Sequence, residues 1–282
     1  MLRIAVPNKG SLAEAASTML REAGYRQRTD SKELAILDPD NDVEFFYLRP
    51  RDIAVYVGEG TLDLGITGQD LLVDSGTKAS EVLPLGFGRS TFRLAAFPGA
   101  ITDLHDLQGK RVATAYPGVM RGILDREGID AKIVRLDGAV ETAIRLGVAD
   151  AVADVVSTGT TLRTAGLQIV GDEPLMTSEA LLIGRPEVHD QPAVAQLVRR
   201  LENVLVARRY VMLDYDVRED NLEAAAAVTP GLQSPTVSPL HREGWFAVRA
   251  MVPRGETNAI MDQLWTLGAR AILVTDIVAC RI

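Results

Sequence analysis

The stretch Ala149-Asp150-Ala151-Val152-Ala153-Asp154-Val155-Val156-Ser157-Thr158-Gly159-Thr160-Thr161-Leu162 reads as an apolar strand that delivers an acid, Asp154, into a hydroxyl-rich turn and then a helix. A strand-turn-helix unit of this kind is the building block of α/β folds, and it sets the class of the chain. The turn also suits a phosphate. Backbone N–H groups at a helix start, with the hydroxyls of Ser157, Thr158, Thr160 and Thr161 around Gly159, favour a dianion. Asp154 would repel that phosphate, but it can accept hydrogen bonds from sugar hydroxyls one step along the ligand. A phosphorylated sugar therefore fits better than a nucleoside triphosphate. The turn has neither the Gly-Lys-Ser/Thr ending of a Walker loop nor a Gly-x-Gly-x-x-Gly string, so both of those readings fail. For the Thr-Gly-x-Thr string by itself, an ordinary strand-to-helix turn is the alternative.

Upstream, Leu2 to Val6 is a short apolar strand followed by Pro7-Asn8-Lys9-Gly10 and a helix start at Ser11-Leu12-Ala13-Glu14. Lys9 is thereby placed at the mouth of a strand-to-helix turn, where ligands of open α/β sheets bind, with a solvated loop lysine as the alternative. Gly60-Thr61-Leu62-Asp63 before one apolar strand resembles Gly147-Val148-Ala149-Asp150 before another, a weak internal echo that suggests two lobes of similar construction. Phe87 to Ala96 reads as a strand crossing between the lobes, and Ser178 to Gly184 as the return crossing. The result is a two-lobed clamp with a cleft, much as in bilobal solute-binding proteins. Gln191 to Arg209 reads as a long helix with Val194, Leu197, Leu201, Leu205 and Val206 on its apolar side. The remainder alternates in the order βαββαβ, which gives a ferredoxin-like sheet.

Composition narrows the function. At 282 residues and 47% apolar content the chain is a globular α/β protein of two or three domains. A net charge of -8 argues against a nucleic-acid surface. One cysteine, Cys280, excludes an internal disulfide and a cysteine-based zinc site, and three scattered histidines make a histidine cluster improbable. No apolar run reaches membrane-spanning length and the chain opens on a strand without a signal-peptide pattern, so a cytoplasmic location is expected.

Taken in series, Ala5-Val6-Pro7-Asn8-Lys9-Gly10-Ser11-Leu12, Asp137-Gly138-Ala139-Val140-Glu141, Gly147 to Asp150, Asp154 to Leu162 and Thr229-Pro230-Gly231-Leu232-Gln233-Ser234-Pro235-Thr236-Val237-Ser238-Pro239-Leu240 resemble the long form of the ATP phosphoribosyltransferase family, the first enzyme of histidine biosynthesis. The resemblance covers nearly the whole chain in the right order. It implies an α/β fold with a bilobal, periplasmic-binding-protein-like catalytic part and a C-terminal ferredoxin-like (βαββαβ, ACT-like) regulatory domain. The domains would be 1–90 plus 184–209, 91–183 and 210–282. The implied reaction moves the 5-phosphoribosyl group of phosphoribosyl pyrophosphate to N1 of ATP and releases pyrophosphate.

In that reaction Ser157, Thr158, Gly159, Thr160 and Thr161 would hold the 5-phosphate and Asp154 the ribose hydroxyls. Glu141 is either a second partner for ribose or a magnesium-linked water, or a carboxylate complementing a helix start. The resemblance further implies that Lys9, Arg49 and Arg51 neutralise phosphates, and that Asp70 and Tyr116 place the purine. Mg²⁺ is expected on the substrate pyrophosphate, without a protein cluster of metal ligands. L-histidine would inhibit from a pocket of Asp216, Leu232, Ser234, Thr236 and Ala271 in a homo-oligomer, expected to be a hexamer. Asp216 has a competing reading as the cap of the following helix, with Glu219 completing a capping box. Two departures stand out: Arg51 where long-form relatives commonly carry lysine, and Gly118 where an asparagine commonly follows the proline. A solute-binding protein and a phosphoribosyltransferase acting on another base are the competing functions.

Overall fold

The structure is a computed structural model, and it describes every residue except Ala139, Ser157, Thr158 and Ile282. Two compact units make it up, one of residues Met1–Arg21 and Tyr25–Val198, the other of Glu22–Gly24 and Arg199–Ile282.

In chain order the first unit contains β1 (Leu2–Pro7), α1 (Ser11–Glu22), β2 (Ala35–Asp38), β3 (Val43–Leu48), α2 (Pro50–Gly58), β4 (Leu64–Gly68), α3 (Gln69–Ser75) and β5 (Ser80–Pro84). There follow β6 (Ser90–Ala96), β7 (Arg111–Thr114), α4 (Pro117–Glu127), β8 (Lys132–Arg135), α5 (Thr142–Arg145), β9 (Ala151–Val156), α6 (Thr160–Thr164), β10 (Gln168–Val170), β11 (Met176–Ser178) and β12 (Ala180–Gly184). Two sheets result. The first has the order β2-β3-β1-β4-β12-β5, and the second β10-β6-β9-β7-β8 with β11 also paired to β6. The expected two-lobed α/β architecture is therefore present. The return crossing lies at Glu179, because Ser178 closes a strand of the second sheet while Ala180 opens one of the first.

The internal echo is a real structural device. Asp63 takes the backbone N–H of Arg3 at 2.8 Å, its own N–H goes to the Arg3 carbonyl, and the Arg3 guanidinium reaches the carbonyl of Thr61. Asp150 does the same to Arg111, whose guanidinium bonds the carboxylate and the carbonyl of Gly147. Each clasp ties the start of one strand to the residue just before its parallel neighbour, β1 with β4 and β7 with β9. The Arg111 side chain and N–H hold the Asp150 carboxyl down at about 2.

Close packing fixes how the helices sit. All five residues of β4 are buried, and a Cβ on Gly65 would stand 2.4 Å from the Ile53 side chain, so α2 lies against the strand itself. In the second lobe Phe92, Leu94, Val112, Met120, Ile123, Leu124 and Ala151 form the core between α4 and the sheet.

The second unit holds most of α7 (Pro192–Arg209), then β13 (Tyr210–Arg218), α8 (Leu222–Val228), β14 (Thr236–Pro239), β15 (Trp245–Pro253), α9 (Thr257–Thr266) and β16 (Arg270–Asp276). This is the expected βαββαβ order, in an antiparallel sheet β14-β15-β13-β16. Strand β13 alternates strictly, with Val211, Leu213, Tyr215 and Val217 under the helices and the intervening residues on the opposite face. On α7 the buried positions are Val194, Leu197, Leu201, Val204 and Ala207, in place of the expected Leu205 and Val206. Steps of three and four residues from Leu201 lead to Val204 and Ala207, and leave the other two on the flanks.

Candidate active site

Parallel strands point their carboxyl ends the same way, and in open α/β sheets that edge collects ligands. Here it collects the predicted residues. In the first lobe, β3 leads to Arg49 and Arg51, β1 to Lys9 and β4 to Asp70, with the N–H of Asn8 bonded to the carbonyl of Leu48. In the second, β7 leads to Tyr116, β8 to Glu141, and β9 carries Asp154 near its end.

Five of these groups meet electrostatically. Burial raises the Asp154 carboxyl, a bond accepted from the N–H of Val155 opposes it, the Glu141 and Asp70 charges raise it further, and Arg51 lowers it. Burial also raises the phenol of Tyr116, followed by the charges of Asp70 and Asp154, with the Arg51 charge opposing. Tyr116 therefore stays a donor across the physiological range. Its ring is held by the edge of Phe92, with centroids 5.8 Å apart, and by the Arg51 guanidinium 4.9 Å from its centroid.

Asp70 is buried and doubly tied to Ser178, whose hydroxyl donates to the carboxylate at 2.9 Å and accepts from the Asp70 N–H at 3.0 Å. A Cβ on Gly68 would lie 2.2 Å from that carboxylate, so only glycine leaves Asp70 its position. Glu141 occupies the residue before α5 in helical conformation and makes no side-chain capping bond, and its position at the start of that helix fits both readings of it.

The phosphate turn is described only in part: Ser157 and Thr158 lie outside the described residues. Gly159 has φ of +69°, a left-handed conformation that suits glycine, and α6 opens at Thr160 and Thr161 with no side-chain cap. Lys9 and Arg49 are exposed. Beside Lys9, the Asn8 Oδ1 is buried and accepts no hydrogen bond.

An open cavity of about 460 Å³ adjoins the end of β9, lined by Gln69, Arg89, Thr91, Val156, Thr177 and Glu179 among others. Arg89 and Glu179 were not among the predicted residues. Their only sequence signal was position, since both fall in the two crossing segments. Among the described residues no group of three or more His, Cys, Asp or Glu side chains is gathered to hold a metal. No described helix is long and apolar enough to cross a membrane.

In the second unit, Asp216 lies inside β13, whose pairing continues to Arg218, and the following 3₁₀ turn has no side-chain cap. The helix-cap reading of Asp216 is thereby corrected: the strand runs two residues too far for it. The carboxylate makes no hydrogen bond or ion pair with a described residue. Its neighbour on β16 is Arg270, at a register shift where Ala271 takes φ of +50°. Thr236 sits on the far edge strand, paired to Arg249, with Ser234 and Leu232 in the loop before it. The predicted residues are thus divided, Asp216 on the interior strand β13 and Ala271 on the edge strand β16, with the other three on or before the opposite edge strand β14.

The family model described as HisG: ATP phosphoribosyltransferase matches residues 49–203, and that described as HisG, C-terminal domain, matches residues 207–279. The chain belongs to the ATP phosphoribosyltransferase family. It is of the long form and hence a pentosyltransferase. Relatives named ATP phosphoribosyltransferase from Streptomyces coelicolor and from an Arthrobacter species are 64% and 62% identical over the full length of both chains. A solved ATP phosphoribosyl transferase (HisG:HisZ) complex from Thermotoga maritima superposes with a TM-score of 0.63 at 26% identity, covering 73% of this chain and 98% of that one.

Both departures from the family pattern acquire a physical account. Gly118 lies in the first turn of α4 with ordinary helical backbone, and a Cβ there would stand 2.4 Å from the carbonyl oxygen of Asp74. Its lack of a side chain therefore serves a close helix approach. Arg51 places one amino group on Asp74 at 2.5 Å, a bond that was not foreseen.

Proposed function

We propose that the chain transfers the 5-phosphoribosyl group of phosphoribosyl pyrophosphate to N1 of the adenine of ATP and releases pyrophosphate. The observation that carries this reading is the meeting of Asp154, Glu141, Asp70, Tyr116 and Arg51 at the carboxyl ends of the parallel strands. No side-chain nucleophile is needed: the ring nitrogen attacks C1 as the pyrophosphate departs, and the protein supplies orientation and charge. Asp154, ionised, accepts from the ribose hydroxyls, with Glu141 as its neighbour. The turn of Ser157 to Thr161 binds the 5-phosphate. Tyr116 and Asp70 present a donor and an acceptor to the purine, while Lys9, Arg49 and Arg51 meet the phosphates. Mg²⁺ arrives on the pyrophosphate as part of the substrate, as suits an ion that keeps phosphate oxygens and water in its shell.

The deciding assay is pyrophosphate release with ATP, phosphoribosyl pyrophosphate and magnesium together. A solute-binding protein gives none, and the product mass with other acceptors rules on a different base. A cytoplasmic location follows from the biosynthetic role.

For regulation, the same reading assigns L-histidine to Asp216, Leu232, Ser234, Thr236 and Ala271 in a hexamer. Asp216 offers an unpaired carboxylate for an ammonium or imidazolium group, beside the irregular backbone at Ala271. Because the other three residues lie two strands away, the pocket is completed by a second copy meeting at the open edges. Strand β16 is such an edge, with Leu273 and Val274 exposed. Asp216→Ala is expected to keep the uninhibited rate and lose histidine sensitivity in an initial-rate titration. Unchanged inhibition there and in Thr236→Ala would sink the pocket. A monomer by light scattering would sink the assembly.

A further inference from the structure

Asp74 stands at the last turn of α3, belongs to neither the predicted site nor the strand ends, and is nearly inaccessible, its side chain 7% exposed. Both of its oxygens are engaged. Oδ2 accepts from Arg51, while Oδ1 accepts from the N–H of Gly118 at 2.7 Å and, more weakly, of Val119 at 3.4 Å. Gly118 and Val119 are the second and third residues of α4, the two amides that an N-cap side chain ordinarily serves. Tyr116, at the cap position, makes no such bond. The cap of α4 is therefore supplied by a helix of the other lobe, and its negative charge suits the positive end of the helix dipole.

The same carboxylate sets Arg51. Tying one amino group to Asp74 leaves Nε and the second amino group with no described partner, and holds the guanidinium plane over the Tyr116 ring. A planar fork can bind a fixed carboxylate with one arm and an arriving anion with another. A lysine, as a single point charge, cannot divide itself in this way.

We propose that Asp74 is a positioning residue for the transfer reaction, orienting Arg51 toward the substrate's phosphates and fixing Tyr116 by capping α4. This deepens the proposed function and rests on its reading of Arg51 as the anion-binding group.

The test is a double-mutant cycle in the full-length chain: Asp74→Asn, Arg51→Ala and the pair, each assayed for kcat and KM by pyrophosphate release. Melting temperatures report folding. Asparagine keeps an acceptor for Gly118 and removes the charge from Arg51. The expected result is a loss of kcat/KM of about tenfold in Asp74→Asn, assayed at a temperature well below its melting transition so that the chain is fully folded. No further loss is expected where Arg51 is already Ala. Equal fold-losses in both backgrounds, or unchanged kcat/KM in the single variant, would overturn the proposal. Should the unsubstituted chain release no pyrophosphate, the phosphoribosyl-transfer reading fails by itself. The cycle is then read by calorimetric titration with inorganic pyrophosphate, where independent effects of the two substitutions overturn the role of Asp74.

Discussion

Asp154→Asn is expected to lower turnover on the order of 10²-fold while leaving the melting temperature unchanged or higher. The two halves of this expectation share one cause. Burial and the neighbouring charges of Glu141 and Asp70 raise the Asp154 carboxyl, so the folded state holds its proton more tightly than the unfolded chain does. Stability from this residue therefore falls as pH rises from the unfolded carboxylate pKa through the raised folded one, and above that value the cost is fully present. Asparagine removes the cost and keeps an oxygen for the Val155 N–H. It also removes the anion that would order the ribose, and a small displacement of C1 is amplified in rate. In the unsubstituted chain kcat/KM should rise with pH as this carboxyl ionises, an acid limb that the variant lacks. A variant with full turnover, or one that melts well below the parent, would take Asp154 out of the proposed role.

The second expectation compares one substitution at two places on one helix. Gly118 and Gly122 lie a turn apart in α4, but a Cβ on Gly118 meets the backbone of Asp74 at 2.4 to 3.0 Å, whereas one on Gly122 meets nothing within 4 Å. Backbone cannot rotate aside as a side-chain tip can. Gly118→Ala must push α4 off α3, at a cost of about 1–3 kcal/mol, and it breaks the bonds to Asp74 that fix Tyr116. Gly122→Ala puts a methyl group into open space at an exposed helical position, lowers the chain entropy lost on folding, and should stabilise by about 0.5–1 kcal/mol. Paired thermal melts read the difference in sign, and pyrophosphate release should fall only for Gly118→Ala. Equal melting temperatures would show that the two helices can separate at no cost.

Legibility in the sequence followed the range of the interactions. The acid-then-Thr-Gly turn at Asp154 to Thr161 is local, written in consecutive residues, and so are the apolar periods that give βαββαβ. The two-lobed plan was also readable, because the Asp63 and Asp150 clasps use the same spacing after glycine. What could not be read is what the fold brings from afar. Ser178 and Asp70 are 108 residues apart, and Gly118 and Asp74 are 44 apart. Serine and aspartate are ordinary surface residues until a partner is known. Asp216 shows the opposite failure: its local string allowed a helix cap, and only the extent of pairing with β15 showed that the strand had not yet ended.

The placement of β12 has a consequence for how the molecule is made. It lies between β4 and β5 in the first sheet, antiparallel to both, yet it is encoded after the whole second lobe. A ribosome releases β4 and β5 first and the strand that separates them on the order of a hundred residues later, a delay of roughly ten seconds at bacterial elongation rates. By the end of that interval the second lobe has all of its strands, while the first still has an unfilled slot bordered by the apolar edge of Leu64 to Gly68. Newborn chains of this protein are therefore most vulnerable to wrong pairing at one strand width, and a helper that shields that slot would have its whole effect before residue 184 emerges.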